Sequence, residues 1–119
     1  MRNAITSLWL GLVLALGSPL GFGQTPDSLS ETDMALGYYK PLAEQGGAYA
    51  QLTIGEIYME GAGVKQDLVE AYAWFAVASA QGVDEATAIM EHVYTKLDEA
   101  EREQARALAE QYIEHYSAP

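Results

Sequence analysis

The side chains that could perform chemistry in this chain are two histidines and several glutamates. His92 and His115 are the only histidines, and a metal or catalytic site would need further ligands converging on one of them. His92 follows Glu91 directly and lies seven residues after Glu85, which supplies no such set. We therefore interpret both histidines as surface residues.

Glu56 and Glu60 are carboxylates that stand four residues apart, and Glu99 and Glu103 have the same spacing. This spacing places both members on one helix face. Paired carboxylates can act as acid and base, but exposed helix surface is the simpler interpretation. The sequence contains no nucleophile motif, phosphate-binding loop or Cys/His metal spacing. We predict no catalytic, cofactor or metal site and keep an enzyme, such as a cell-wall hydrolase or a β-lactam-acting protein, as a minor alternative.

The first 23 residues have the layout of a secretory signal peptide. Arg2 precedes the apolar run Leu8 to Leu16, and Gly21 and Gly23 place small residues at a cleavage site. An uncleaved membrane anchor is the alternative, but the run is shorter than the roughly 18–20 apolar residues of a membrane span. We predict cleavage after Gly23, a periplasmic or secreted location, and no stable membrane anchor after cleavage.

The chain is strongly acidic. It has 6 Lys and Arg against 17 Asp and Glu, and removal of Arg2 would leave 5 − 17 = −12. Such a charge repels nucleic acid and anionic membranes, so we exclude both as partners. It permits a basic protein partner, although the charge could also serve solubility alone.

The chain repeats itself at a spacing of 36 residues. Recurring pairs include Ala35 with Ala71, Gln45-Gly46 with Gln81-Gly82, Ala50 with Ala86, and Tyr58 with Tyr94. A period in this range is typical of stacked repeats, in which each unit buries its apolar face against its neighbours.

Helix caps and hydrophobic periodicity predict five helices and no strand. Asp67 and Asp98 stand at predicted N-caps, and Glu70 and Glu101, each three residues later, complete capping-box patterns. We predict an all-α fold with helices from Ser30 or Thr32 to about Gln45, 48–60, 67–81, 84–96 and 98–115.

Residues 46–82 resemble one complete unit of the Sel1-like repeat family, a branch of the tetratricopeptide-like helical repeats. A half unit precedes it, and a weaker unit follows in which Glu91 replaces a glycine, as expected of a terminal cap. The matching positions, which we expect to be structural, are Gly46, Ala50, Gly55, Tyr58, Gly61, Gly63, Asp67, Ala71, Trp74, Phe75 and Gly82, with Tyr94 in the next unit.

The resemblance implies an α/α superhelix, or solenoid, of about two and a half repeats that binds proteins. We assign 24–31 to a tether and 32–116 to the repeat domain. Because so few repeats bury little surface, we expect marginal stability or a homodimer through the open edge of the first helix. Tyr38 is expected in the core, whereas Tyr39, Tyr49 and Tyr72 fit either core or surface.

In repeats of this shape the first helix of each unit lines the concave face, which predicts a binding strip on the second and fourth helices. An ordinary solvated face is the alternative. The members of this binding strip are Tyr49, Leu52, Glu56, Met59 and Glu60, with Glu85, Ala88, His92, Thr95 and Lys96. The favoured function is a non-enzymatic, exported protein-interaction module. The alternative is an acidic inhibitor or immunity protein that neutralises a basic exported enzyme or toxin.

Overall fold

The computed structural model describes residues 31–61 and 63–119. The predicted signal peptide 1–23 and nearly all of the predicted tether lie outside these residues. The described residues form five α-helices without a strand, which confirms the predicted all-α fold. They are α1 (Glu31–Glu44), α2 (Ala48–Glu60), α3 (Leu68–Ala80), α4 (Asp84–Thr95) and α5 (Glu99–Tyr116).

Both predicted aspartate caps are present. The Asp67 carboxylate accepts a hydrogen bond from the Glu70 backbone N–H at 3.0 Å, and Asp98 accepts from the Glu101 N–H at 2.8 Å. At α5 the Glu101 carboxylate also accepts from the Asp98 N–H at 2.9 Å, which completes a capping box. These bonds satisfy N–H groups that have no partner inside the helix.

The predicted second half of the capping box at α3 is wrong, because Glu70 makes a tertiary contact instead. Its carboxylate accepts hydrogen bonds from Trp74 Nε1 at 3.2 Å and from the Tyr112 hydroxyl of α5. The Trp74 ring also packs against Tyr112 and stacks on Tyr116, with ring centroids 4.7 and 5.1 Å apart. Glu70 therefore helps to fix α5 on α3.

Two glycines predicted as repeat positions have clear structural reasons. A Cβ at Gly55 would lie 2.6 Å from the Phe75 ring, so only glycine lets α2 and α3 approach this closely. Gly61 ends α2 with φ 68°, in the left-handed region that glycine adopts without strain. The other predicted glycines, Gly46, Gly63 and Gly82, also have positive φ.

The core is centred on α3, which packs against α2, α4 and α5. Its residues 73–78 are all buried, as in a helix surrounded by protein on every side. Phe75 and Ala71 pack toward α2 and α4, Trp74 toward α1, α2 and α5, and Ala73 and Ala76 toward Ala109 of α5. Within 31–61 and 63–119, no helix is long and apolar enough to cross a membrane.

The last helix packs along α3 rather than pairing closely with α4. Tyr72 and Arg106 lie together near the start of this contact, and Gln81 and Ala118 lie together at its end, so the two helices run parallel. The side chain of Arg102 reaches α4, where its Nε donates to the Tyr94 carbonyl at 3.0 Å. This arrangement agrees with the expected terminal unit, in which the exposed Glu91 replaces the glycine of a tight helix pair.

Two glutamine side chains, which we call the amide clasp (Gln51 and Gln81), join the C-terminal ends of α1, α3 and α5. Gln51 is fully buried, and its Nε2 donates to the carbonyls of Ala43 at 2.9 Å and Tyr116 at 2.8 Å. Gln81 Nε2 donates to Gln51 Oε1 at 2.8 Å and to the Gly46 carbonyl at 3.1 Å. The last carbonyls of a helix lack intrahelical partners. The clasp supplies a donor to the Tyr116 carbonyl and a second donor to the Ala43 carbonyl, which also accepts from the Gly46 N–H at 3.1 Å.

We expect Gln51→Leu to lower the free energy of unfolding by about 2–4 kcal/mol. Leucine has a similar size but removes three hydrogen bonds, two donated to the Ala43 and Tyr116 carbonyls and one accepted from Gln81 Nε2, each worth about 0.5–1.5 kcal/mol. Urea denaturation followed by circular dichroism measures the change. The matched control, Gln104→Leu on the exposed face of α5, should change it by no more than about 0.5 kcal/mol. Equal effects would contradict a structural role for the clasp.

Candidate functional site: a partner-binding strip

The exposed face of α2 carries Tyr49, Thr53, Glu56 and Glu60. At about 100° per residue, these four positions fall within a narrow sector of the helix. Tyr49 is 71% exposed, Glu60 is exposed, and Thr53 and Glu56 are half-buried. The hydroxyl of Thr53 donates to the Tyr49 carbonyl at 3.0 Å, which holds it against its own helix.

Leu52 and Met59 do not belong to this face as the sequence predicted. Leu52 is only 7% exposed and packs in the core with Phe75 and Val93. Met59 is half-buried against the same cluster. Both positions are rotated about 60–80° from Tyr49, toward α3, so Thr53 continues the strip in place of Leu52.

The predicted residues of α4 are all exposed. Glu85 lies in the first turn, and His92 and Thr95 lie in the last turns of the helix. Thr95 Oγ1 donates to the His92 carbonyl at 2.7 Å. Ala88 and Lys96 are exposed as well.

Glutamates of α2 and α4, the two helices of the binding strip, act on each other through their charges. The pKa of the Glu56 carboxyl is raised, first by burial and then by the negative charges of Glu85 and Glu60. The negative charges of Glu60 on α2 and Glu85 on α4 therefore both act on Glu56. The two histidines lie on different helices, α4 and α5.

The described residues contain no group of three His, Asp or Glu side chains placed to hold a metal ion. His115 makes a contact within its own helix, where its Nδ1 lies 2.8 Å from the Gln111 carbonyl. The second predicted carboxylate pair, Glu99 and Glu103, is exposed on α5. The chemistry available on the binding strip is recognition by an aromatic ring and carboxylates.

The predicted alanine and aromatic repeat positions occupy the core or its border. Ala71, Trp74 and Phe75 are at most 1% exposed, and Ala50 is 8% exposed. Tyr58 and Tyr94 are half-buried. The ring of Tyr94 packs against Tyr72 with centroids 5.5 Å apart, and the Arg102 guanidinium lies 4.7 Å from its centre. These side chains hold the helices together.

The predicted core position of Tyr38 is wrong, since this side chain is 66% exposed. Its neighbour Tyr39 packs against the Trp74 cluster instead. Tyr38, Tyr39, Leu42 and Tyr49 line an open groove of about 770 Å³ between α1 and α2. This groove was not predicted from the sequence, although the adjacent tyrosines at 38 and 39 and the Gly46-Gly47 turn, which all line it, are visible there.

Comparisons with known proteins support a helical repeat. A family model described as Sel1 repeat matches residues 14–47 and 48–83. The first match begins inside the predicted signal peptide, outside the described residues. The second coincides closely with the unit recognised at 46–82. A search of the curated proteins found no match.

The chain is also similar to a solved structure, that of a protective antigen present in uropathogenic Escherichia coli strains, which displays an SLR fold. The TM-score is 0.69 and the sequence identity is 38%. The alignment covers 74% of this chain but 19% of the antigen chain, so this chain spans about a fifth of the antigen's length.

We expect Glu56→Gln to raise the melting temperature at neutral pH and not in acid. Because the folded-state pKa of Glu56 lies above its unfolded value, this carboxyl favours folding at low pH and loses that contribution as the pH rises through the folded pKa. Solvent screening limits the gain to about 0.2–0.5 kcal/mol.

Thermal melts at about pH 7 and about pH 3, on either side of an ordinary glutamate pKa, measure this difference. The control Glu114→Gln changes the net charge equally on an exposed site of α5. A pH-independent gain, or an equal gain in the control, would show that the pKa of Glu56 is not raised in the folded protein.

Proposed function

This chain belongs to the Sel1 repeat family, whose members generally mediate protein–protein interaction, and we propose that it is a non-enzymatic module that binds a partner protein through its binding strip. The exposed Tyr49 carries the proposal. A tyrosine contributes a large contact area at a low entropic cost, which makes it common at interfaces. Here it lies at one end of a row of carboxylates that the fold does not use for its own packing.

The proposed location is the periplasm or the extracellular space. The N-terminal sequence supports it through its basic residue, apolar run and small residues at the predicted cleavage site. The partner sought is therefore another exported protein or an envelope protein that exposes a domain outside the cytoplasm.

Affinity capture from an envelope extract tests the interaction. We expect one partner to be retained by the exported chain and lost from the double variant Tyr49→Ala/Glu56→Lys, because that variant removes the aromatic contact and reverses one central charge. The control Gln104→Ala/Glu114→Lys also combines one truncation to alanine with one charge reversal, at exposed positions of α5. This control should retain the partner. Loss in both variants, or in neither, would show that the strip is not the binding surface.

A second candidate function is an acidic inhibitor or immunity protein that neutralises a basic exported enzyme or toxin. The negative charges of Glu60 and Glu85, which both act on Glu56, favour it, because a local excess of negative charge attracts a cationic surface. The predicted formal charge of the processed chain, 5 − 17 = −12, acts in the same direction.

Salt dependence separates the inhibitor from a general adaptor. Raising NaCl from about 0.1 to about 1 M shortens the Debye length from about 10 Å to about 3 Å, so we expect the association rate with a basic partner to fall at least about tenfold. Surface plasmon resonance at both salt concentrations measures this rate. A partner with an acidic isoelectric point, or a rate indifferent to salt, would contradict the inhibitor function.

A further inference from the structure

We propose that α1 is a self-association surface on which a second copy of this chain docks, with the two α1 helices antiparallel about a two-fold axis at Tyr38. The surface is the α1 stripe, formed by Met34, Tyr38 and Leu42. These residues recur every four positions along one face of the helix. They are 54%, 66% and 40% exposed, so three large apolar side chains lie open on one helix.

The repeat itself indicates that this face is built to be covered. Trp74 stands 36 residues after Tyr38, at the equivalent position of the next unit, and is only 1% exposed. It is buried by Ala50 and Ile54 of α2, the first helix of its own unit, and by the tyrosines of α5. Among the described residues, none covers Tyr38 in the same way.

The length of chain before α1 argues for an external occupant. The family model begins its first unit at residue 14, so the first helix of that unit would precede α1. With the predicted cleavage after Gly23, only residues 24–30 remain before α1, and they include Pro26. Seven residues are too few to replace a helix such as α2, which has 13.

The α1 stripe is complementary to itself. An antiparallel partner centred on Tyr38 places Met34 of one copy against Leu42 of the other and stacks the two Tyr38 rings near the axis. This is the isologous contact that a two-fold dimer requires. Apolar side chains of this size expose about 200 Å² each, so the stripe and the adjacent Tyr49 offer about 450 Å² per copy. The total for two copies, about 900 Å², lies below the roughly 1,200–2,000 Å² that stable complexes bury, and we therefore expect a weak dimer.

The acidic charge gives this dimer a distinctive salt dependence. Two copies of the same acidic chain repel each other, and salt screens that repulsion while leaving apolar contacts in place. Self-association should therefore strengthen with salt, opposite to the behaviour expected for a basic partner. The inference does not rest on the proposed function, because the α1 stripe can be altered while the glutamates of the strip are retained.

Sedimentation velocity of the exported chain, with its N-terminus read by mass spectrometry, tests the proposal. Between about 10 µM and about 1 mM, the range of a weak contact, the mean mass should rise from monomer toward dimer, and more steeply at high salt. Tyr38→Glu should weaken the dimer at least about tenfold. Ile113→Glu, which introduces the same charge at an exposed apolar residue of α5, should not. Circular dichroism verifies that both variants are folded.

Cysteine crosslinking tests the register, since the chain has no native cysteine. A mixture of Met34→Cys and Leu42→Cys chains should form more oxidised dimer than either variant alone, because identical positions lie about 12 Å apart along the axis in the antiparallel pair. Equal crosslinking in all three samples would overturn the proposed geometry. A monomer at every concentration, or equal weakening by Ile113→Glu, would overturn the dimer. A monomeric chain that retains residues 14–30 would also overturn it, in favour of an intramolecular occupant.

Discussion

The structure depends on the amide clasp between Gln51 and Gln81. Helices α1, α3 and α5 all end at the same side of the domain, and each leaves backbone carbonyls without intrahelical partners. The buried Gln51 amide donates to carbonyls of α1 and α5. The Gln81 amide donates to Gln51 and to the Gly46 carbonyl of the α1–α2 turn, and it accepts from the Ala118 N–H of the C-terminal tail. Helix packing brings these ends together, and the clasp makes their burial tolerable.

A second interaction holds α5 about one helical turn before the clasp. The Glu70 carboxylate does not cap its own helix but accepts hydrogen bonds from Trp74 and from Tyr112 of α5. Trp74 is therefore oriented by Glu70 and covered by the tyrosines of the last helix. The desolvation of Tyr112 and its bond to Glu70 raise the pKa of its hydroxyl. With α3 enclosed in this way, the outer faces of α2 and α4 remain at the surface.

The parts of the fold that could be predicted from sequence are those determined by nearby residues. Asp67, Asp98 and Gly61 mark helix ends through bonds or backbone angles within a few positions, and the period of 36 identifies the architecture. The failures depend on distant or missing neighbours. Nothing local shows that Gln51 meets Tyr116, or that Tyr38 lacks the cover that Trp74 receives. Leu52 was misplaced because a small error in helix rotation moves a side chain from the surface to the core.

The same limits apply to the candidate site. The pattern of Tyr49, Glu56 and Glu60 on one helix face could be read from periodicity alone, and their exposure follows from it. The approach of Glu85 to Glu56 depends on how α4 packs relative to α2, and so became visible only in three dimensions.

The clasp also changes how the chain should unfold. In an ordinary repeat array each unit touches only its neighbours, so the ends can fray while the centre stays folded. Here the Gln51 side chain is hydrogen-bonded to the Tyr116 carbonyl, 65 residues later in the chain. The C-terminal tail also passes close to the α1–α2 turn, where a Cβ at Gly46 would lie 2.7 Å from the Ala118 Cα. The first and last described helices are thus joined in a closed circuit, which makes a single cooperative transition the natural mode of unfolding for a protein built from repeats.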